Sequence, residues 1–231
     1  MKTIGLIGGI SWESSAHYYE IINKEINQRL GGHHFARCIL YSVDFADIVK
    51  HQEAGEWDEC AKILCQAALN LEKAGADFIG LCTNTSHKAA LEIEQCLTIP
   101  FYHIATLTAN RLEHDQITKV GLLGTRFTME EAFYKDKLVE RGIEVLIPNQ
   151  EGIKDVNTMI FEELCFSKVL STSKQRILII IQELVEAGAQ GIILGCTELN
   201  MLVNQNDVMT KLYDTTLIHA QELVNLALKD E

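Results

Sequence analysis

Cys82 and Cys196 lie in matching surroundings about half a chain apart. Residues 74–85 read AGADFIGLCTNT and residues 187–198 read AGAQGIILGCTE, each with Ala-Gly-Ala, an apolar run and Cys-Thr. A thiol has an unperturbed pKa of about 8.5, so one member of a pair can take a proton while the other gives one. Two such groups on opposite faces of a carbon acid remove a proton from one side and return one to the other. A lone cysteine after an apolar strand is ordinarily core packing, but packing alone gives no reason for the Cys-Thr setting to occur twice. Thr83, Asn84 and Thr85 follow the first cysteine, and Thr197 and Glu198 the second. Their N–H and hydroxyl donors suit a carboxylate and the enolate-like charge that develops on proton removal. Each cysteine directly precedes an expected helix, whose N-terminus favours a thiolate.

The elements that deliver these residues repeat as well. KTIGLIGG (2–9) resembles TKVGLLGT (118–125), and FYHIAT (101–106) loosely resembles LYDTTL (212–217). An internal duplication of this kind places equivalent residues about a pseudo-two-fold axis. The short apolar runs 4–7, 78–81, 119–123 and 191–194 read as buried parallel strands, joined by further strands at 36–43, 101–104, 143–147 and 212–213. Helical spacing covers 12–30, 45–51, 57–73, 85–95, 106–114, 129–141, 155–165, 173–186 and 215–229. Strand and helix alternate throughout, which predicts an α/β fold of two similar lobes, each a parallel sheet flanked by helices. The lobes are expected over 1–100 plus 214–231 and over 101–213, with the active site in the cleft between them. Ligands of such sheets sit beyond the carboxyl ends of the strands, where Gly8-Gly9, Cys82, Gly124-Thr125 and Cys196 all fall.

Composition narrows the function classes. The 231 residues are 47% hydrophobic and 23% charged, with a net charge of −12. That sign opposes a role on nucleic-acid phosphates but leaves a small anionic ligand open, because a local pocket can oppose the global field. No apolar run is long enough for a membrane span, and the first strand meets glycines and a glutamate too soon for a secretory signal. Seven irregularly spaced cysteines are then expected as free thiols of a cytoplasmic protein. No CxxC or HxxxH pair is present, so no metal site is expected. GLIGG (5–9) is not a GxGxxG loop and does not support dinucleotide binding. His87, five residues past Cys82, is expected to cap or pack its helix, and Trp12 and Trp57 to anchor helix packing.

LIGGISWESS (6–15), LCTNTSHK (81–88), LLGTRFTM (122–129) and ILGCTELNML (193–202) together resemble the aspartate/glutamate racemase family over essentially the whole chain. SVDF (42–45) and FEELC (161–165) bring it nearest the broad-specificity amino-acid racemase branch. The resemblance implies a cofactor-independent, two-base enzyme acting on a small amino-acid substrate, and a homodimer. It implies Cys82 and Cys196 as the bases, Thr83, Asn84 and Thr85 on the α-carboxylate, and Thr197 and Glu198 as their counterparts. Ser11 and its repeat partner Thr125 match substrate-contacting positions, Gln52 a polar position near the substrate, and Lys168 a position facing the side-chain carboxylate. Residues 43–55 (VDFADIVKHQEAG) lack the arginine that aspartate-specific members carry there, so Lys50 or Gln52 would have to substitute. A lysine does not reproduce the guanidinium fork, which leaves room for neutral or longer amino acids. Related carbanion enzymes (maleate isomerases, hydantoin racemases, arylmalonate decarboxylases) and a non-catalytic small-molecule binder on the same scaffold are the alternatives. Both cysteines being present counts against a decarboxylase, and a binder has no use for two thiols.

Overall fold

The computed structural model describes residues 1–229. The chain forms two compact units, Met1–Ile104 together with the chain from His219 onward, and Ala105–Ile218. In the first, β1 (Ile4–Gly8), α1 (Trp12–Leu30), β2 (Cys38–Ser42), α2 (Phe45–Ala54), α3 (Trp57–Lys73) and β3 (Phe78–Leu81) lead into a 3₁₀ turn at Thr85–Ala89. Then come α4 (Ala90–Cys96) and β4 (Phe101–Tyr102), and α5 (Ile104–His114) starts at the division and lies in the second unit from Ala105 on. The second unit continues with β5 (Lys119–Gly124), α6 (Arg126–Glu130), α7 (Ala132–Val139), β6 (Glu144–Leu146), α8 (Gln150–Thr158), α9 (Ser171–Glu186), β7 (Gly191–Gly195), α10 (Leu199–Leu202) and β8 (Lys211–Asp214). The chain returns through α11 (Thr215–Leu228).

Each unit is built on a four-stranded parallel sheet, ordered β2-β1-β3-β4 in one and β6-β5-β7-β8 in the other. The expected α/β fold is therefore present. The division falls after Ile104 rather than after residue 100, because β4 hydrogen-bonds along β3 and joins the first sheet. It returns at His219, inside α11, rather than at 214.

Every residue of β1, β3 and β7 is buried, as required of parallel strands covered on both faces. In the first unit Ile7, Leu64, Ala68, Leu71, Ile79 and Leu81 pack together on α3, and Leu6, Tyr18, Ile22, Phe78, Leu223 and Val224 pack beneath α1 and α11. In the second, Leu123, Ile177, Ile180, Ile181, Ile192 and Leu194 form the core with α8 and α9. Each fully buried aliphatic side chain contributes about 1.5–3 kcal/mol, so these layers hold the strand ends in place.

Local chemistry sets the element boundaries, and several of them depart from expectation. The strand expected over 36–43 is shorter, Cys38–Ser42. After Cys82 the chain makes a 3₁₀ turn before α4 begins, not one helix from 85. The helix expected over 129–141 is two helices, because Glu131 is extended (φ −83°, ψ 158°) and ends α6 with its N–H on the Phe127 carbonyl, 3.0 Å. The helix expected from 155 starts at Gln150, where Asn149 accepts the Gly152 N–H at 2.9 Å, and runs on as a π-turn at Met159–Glu163. Trp12, expected as a packing anchor, is 69% exposed.

Gly9 is where β1 gives way to the loop before α1. Its φ is +90°, and a Cβ there would strike the Val43 carbonyl. Gly55, also left-handed at φ +72°, has open space around the same direction. Gly9→Ala is expected to destabilise the first unit by about 2–4 kcal/mol, combining backbone strain with a clash, against about 1 kcal/mol for Gly55→Ala. Urea unfolding midpoints of the two variants check the difference.

Candidate active site

In the first unit Cys82 directly follows β3, its N–H donating to the Ile7 carbonyl of β1 at 2.9 Å. The thiol has no solvent exposure. Burial pushes its pKa up, and the nearby Cys38 thiol adds to the rise. The next residues fold tightly on themselves. Thr83 N–H donates to the Leu81 carbonyl at 2.9 Å, and the Asn84 carbonyl accepts the His87 N–H at 3.0 Å. Asn84 is buried, whereas Thr83 and Thr85 are half-buried. Gln52, from the last turn of α2, donates to Ser86 Oγ at 3.5 Å and so stands beside this loop.

Ser11 belongs to the loop after β1. Its Oγ accepts the Ser14 N–H at 3.4 Å and caps α1, while its carbonyl accepts from Ser15 Oγ at 2.9 Å. Ser15 Oγ in turn accepts the Gly9 N–H at 2.8 Å. Sequence reasoning missed Ser15, although the serine-rich run after Gly-Gly was the available signal. The second unit repeats the device. Thr125 follows β5, is buried, and caps α6 by accepting the Thr128 N–H at 3.3 Å.

Cys196 follows β7 and is 9% exposed. Its Sγ donates to Glu198 Oε2 at 2.9 Å, and Thr197 Oγ1 donates to the same oxygen at 2.6 Å. Burial first, and then the Glu198 carboxylate, hold this thiol well above its ordinary pKa. A neighbouring negative charge opposes formation of another, and an acceptor keeps the hydrogen on sulfur. Lys168 lies on the exposed stretch beyond Cys165, its ammonium 5.6 Å from the centre of the Phe166 ring.

Burial opposes the helix stabilisation of a thiolate that the spacing suggests at each cysteine. A 3₁₀ turn rather than an α-helix follows Cys82, and α10 has a single turn. Burial dominates at both cysteines. What the arrangement offers is two protonated thiols, each followed by a tight, polar loop, with a carboxylate on only one of them.

His87, read from sequence as a capping or packing residue, is buried and bonded through both ring nitrogens, Nδ1 to the Thr83 carbonyl at 2.7 Å and Nε2 to the Ile104 N–H at 3.2 Å. His103, His219 and Tyr18, which carried no sequence signal, are buried in the same unit. His219 Nε2 donates to the Tyr102 carbonyl at 3.0 Å, and its Nδ1 accepts from Tyr18 OH at 2.8 Å. Burial lowers the His219 pKa to about 4. Among the described residues no group of His, Cys, Asp and Glu is placed to hold a metal ion, and no helix is long and apolar enough to cross a membrane.

With both thiols protonated near neutrality, alkylation at either requires alkaline pH. Glu198→Gln removes the anion beside Cys196 and should move the onset of Cys196 alkylation down by about 1–3 pH units, with Cys82 unchanged. Peptide mass spectrometry after timed iodoacetamide pulses across pH reads both sites in one sample.

Comparison with known proteins gives a consistent result. The Asp/Glu/Hydantoin racemase family model matches residues 7–223. The broad specificity amino-acid racemase RacX of Bacillus subtilis (strain 168) is 31% identical over 168 residues, covering 73% of this chain and 72% of RacX. A Yersinia pestis protein assigned as an Asp/Glu racemase has a crystal structure that superposes with a TM-score of 0.95 at 46% identity, covering 99% of this chain and 100% of that one. An aspartate racemase homologue from Pyrococcus horikoshii OT3 superposes with a TM-score of 0.85 at 36% identity, covering 98% and 99%.

Proposed function

The chain belongs to the Asp/Glu/Hydantoin racemase family, and from that premise we propose that it racemises amino acids with Cys82 and Cys196 as the two bases. It is an amino-acid racemase of the type that works without a cofactor. The observation that carries the two-base reading is the equivalence of the cysteines: each directly follows the strand that stands third across its own four-stranded parallel sheet, β3 or β7. The reaction requires both thiols to reach one α-carbon from opposite faces.

In this reading the resting enzyme holds both thiols protonated, and the substrate itself completes the catalytic pair. An α-ammonium group arriving beside a buried thiol favours the thiolate, because opposite charge at close range in a poorly solvated site lowers the thiol pKa. The proton leaving Cys196 has an acceptor in Glu198, whose carboxylate already takes the Sγ hydrogen bond. The thiolate then removes the α-proton from one face, and the opposite thiol returns one to the other face. Thr83, Asn84 and Thr85 hold the α-carboxylate, with Thr197 as the counterpart on the other side. Their donors stabilise the enolate-like charge only as it forms, which is where binding energy accelerates the step.

Ser11 and Thr125 shape the loops after β1 and β5 and contact the substrate from there. Gln52, beside the Cys82 loop, and Lys168, beyond Cys165, are assigned to the substrate side chain. Neither has the arginine fork that grips a second carboxylate, so the specificity is assigned to neutral and longer amino acids as well as acidic ones. The named breadth of RacX supports this. Seven free thiols support a reducing, cytoplasmic setting, and a homodimer belongs to the same reading on family resemblance.

Proton NMR in D₂O tests the proposal. Without added cofactor, the enzyme should exchange the α-proton of at least one of L-aspartate, L-glutamate, L-homoserine, L-lysine and L-alanine, with the D form appearing by chiral chromatography. Cys82→Ala and Cys196→Ala should each lower racemisation by about 10²–10⁴-fold, as loss of a general base does. Full activity in both single variants would refute the two-base assignment.

A further inference from the structure

The loop that follows Cys82 is held from behind by an imidazole with no freedom to change its proton position. The Thr83 carbonyl, 2.7 Å from His87 Nδ1, can only accept, so Nδ1 carries the hydrogen. The Ile104 N–H, 3.2 Å from Nε2, can only donate, so Nε2 is bare. His87 is therefore a neutral Nδ1–H tautomer bridging the loop after β3 to the first residue of α5. A second proton would set Nε2–H against the Ile104 N–H and break that bridge. Burial, with His103 and His219 close by, lowers the His87 pKa and favours the neutral ring. The His103 ring centre lies 4.5 Å away and that of His219 6.0 Å away. His219 is likewise held in one tautomer between the Tyr102 carbonyl and Tyr18 OH. It packs behind β3, where a Cβ on Gly80 would come within 3.5 Å of its ring.

The grip on the Thr83 carbonyl has a direct consequence for the next peptide. The bond between Thr83 and Asn84 is trans, so the Asn84 N–H points opposite to the Thr83 carbonyl. Drawing that carbonyl inward to a buried ring aims the following N–H the other way. Rotating the peptide would turn a donor into an acceptor in the loop that follows Cys82, a reversal of sign in the loop read above as stabilising negative charge.

We propose that His87 is a positioning residue for the Cys82 half of the reaction, fixing the Thr83–Asn84 peptide of the loop that follows the thiol in one orientation, carbonyl to the ring and N–H away from it. The role in catalysis rests on the racemase reading above; the control of the loop around Cys82 does not. Two substitutions separate the ring's two bonds. The amide nitrogen of asparagine falls near the place of Nδ1, and that of glutamine near the place of Nε2. His87→Asn keeps a donor for the Thr83 carbonyl, whereas His87→Gln loses it.

The test uses the full chain, with circular dichroism and thermal melts reporting the fold of each variant. His87→Gln is expected to lower kcat at least about tenfold, as misplacing a transition-state donor does, with a smaller change in KM. His87→Asn is expected within about threefold of the parent. Deuterium isotope effects on kcat/KM, measured with each α-deuterated enantiomer, locate the damage. In His87→Gln the effect should rise for the enantiomer whose proton Cys82 removes and fall for the other, an asymmetry that general loosening of the fold does not produce. Alkylation across pH gives a readout independent of turnover: the Cys82 profile should move in His87→Gln and hold in His87→Asn, with Cys196 unchanged in both. If the Cys82 profile and the isotope effects of a folded His87→Gln match the parent, the positioning role is wrong. If His87→Gln does not fold, a folded His87→Asn with a displaced Cys82 profile overturns the role equally. A parent that exchanges no α-proton refutes the racemase reading instead, and the alkylation profiles still decide whether His87 governs the loop.

Discussion

A parallel strand covered on both faces leaves its chain one place to present polar groups, just beyond its last residue. β1, β3 and β7 are buried along their whole length, and β5 is buried from Val120 to Gly124. Packing of this kind leaves no room for a titratable group within the strand, because a buried charge without a partner costs several kcal/mol. The residues that could do chemistry are therefore displaced to the strand ends. The helices on each face then decide how firmly those ends are held. Gly80 illustrates how close the approach is: a Cβ there would lie 2.7 Å from the Leu223 side chain of α11, one strand residue before Leu81 and the thiol.

The same burial that positions the thiols also keeps them protonated. In water a thiol sits within reach of neutrality, but desolvation disfavours its anion, and both cysteines are shifted upward for that reason first. Their surroundings then diverge. Cys196 has a carboxylate at hydrogen-bond distance, shared with the Thr197 hydroxyl. Cys82 has neutral neighbours, and behind its loop lie imidazoles whose nitrogens are committed to backbone and tyrosine partners. An internal duplication has kept the strand, the cysteine and the threonine, while the proton environment of each copy has gone its own way.

The loops after the inner strands follow a shared economy of hydrogen bonds. Ser11 and Thr125 use one hydroxyl each to start the next helix, at α1 and α6, in the loops after β1 and β5. Ser15 ties the Gly9 N–H and the Ser11 carbonyl together. Such bonds satisfy the backbone groups that a strand-to-helix turn exposes and limit the freedom of the residues next to the site. Preorganised donors of this kind need no rearrangement when charge develops, which is their value to proton transfer.

Much of this was legible in the chain itself. Apolar runs with a strand's length, punctuated by glycine, marked the four inner strands, because burial on both faces leaves a continuous hydrophobic signature. The repeated Cys-Thr setting singled out Cys82 and Cys196 because thiol chemistry is written in residue type. Element ends were less readable. The break at Glu131 and the π-turn at Met159–Glu163 are matters of local backbone conformation that residue order does not state. The pKa shifts of the thiols could not be read from spacing, since a pKa depends on desolvation and neighbours that exist only once the chain has folded. The histidine network was invisible for the same reason. Tyr18, His87, Tyr102, Ile104 and His219 are scattered through the sequence, and only the packing of α1, β4 and α11 around β3 brings their hydrogen-bonding atoms within 3.2 Å of their partners. Residue types along the chain determined which chemistry was possible, while the tertiary structure decided which protons are held, and by what, because electrostatics acts through distance and burial rather than sequence order.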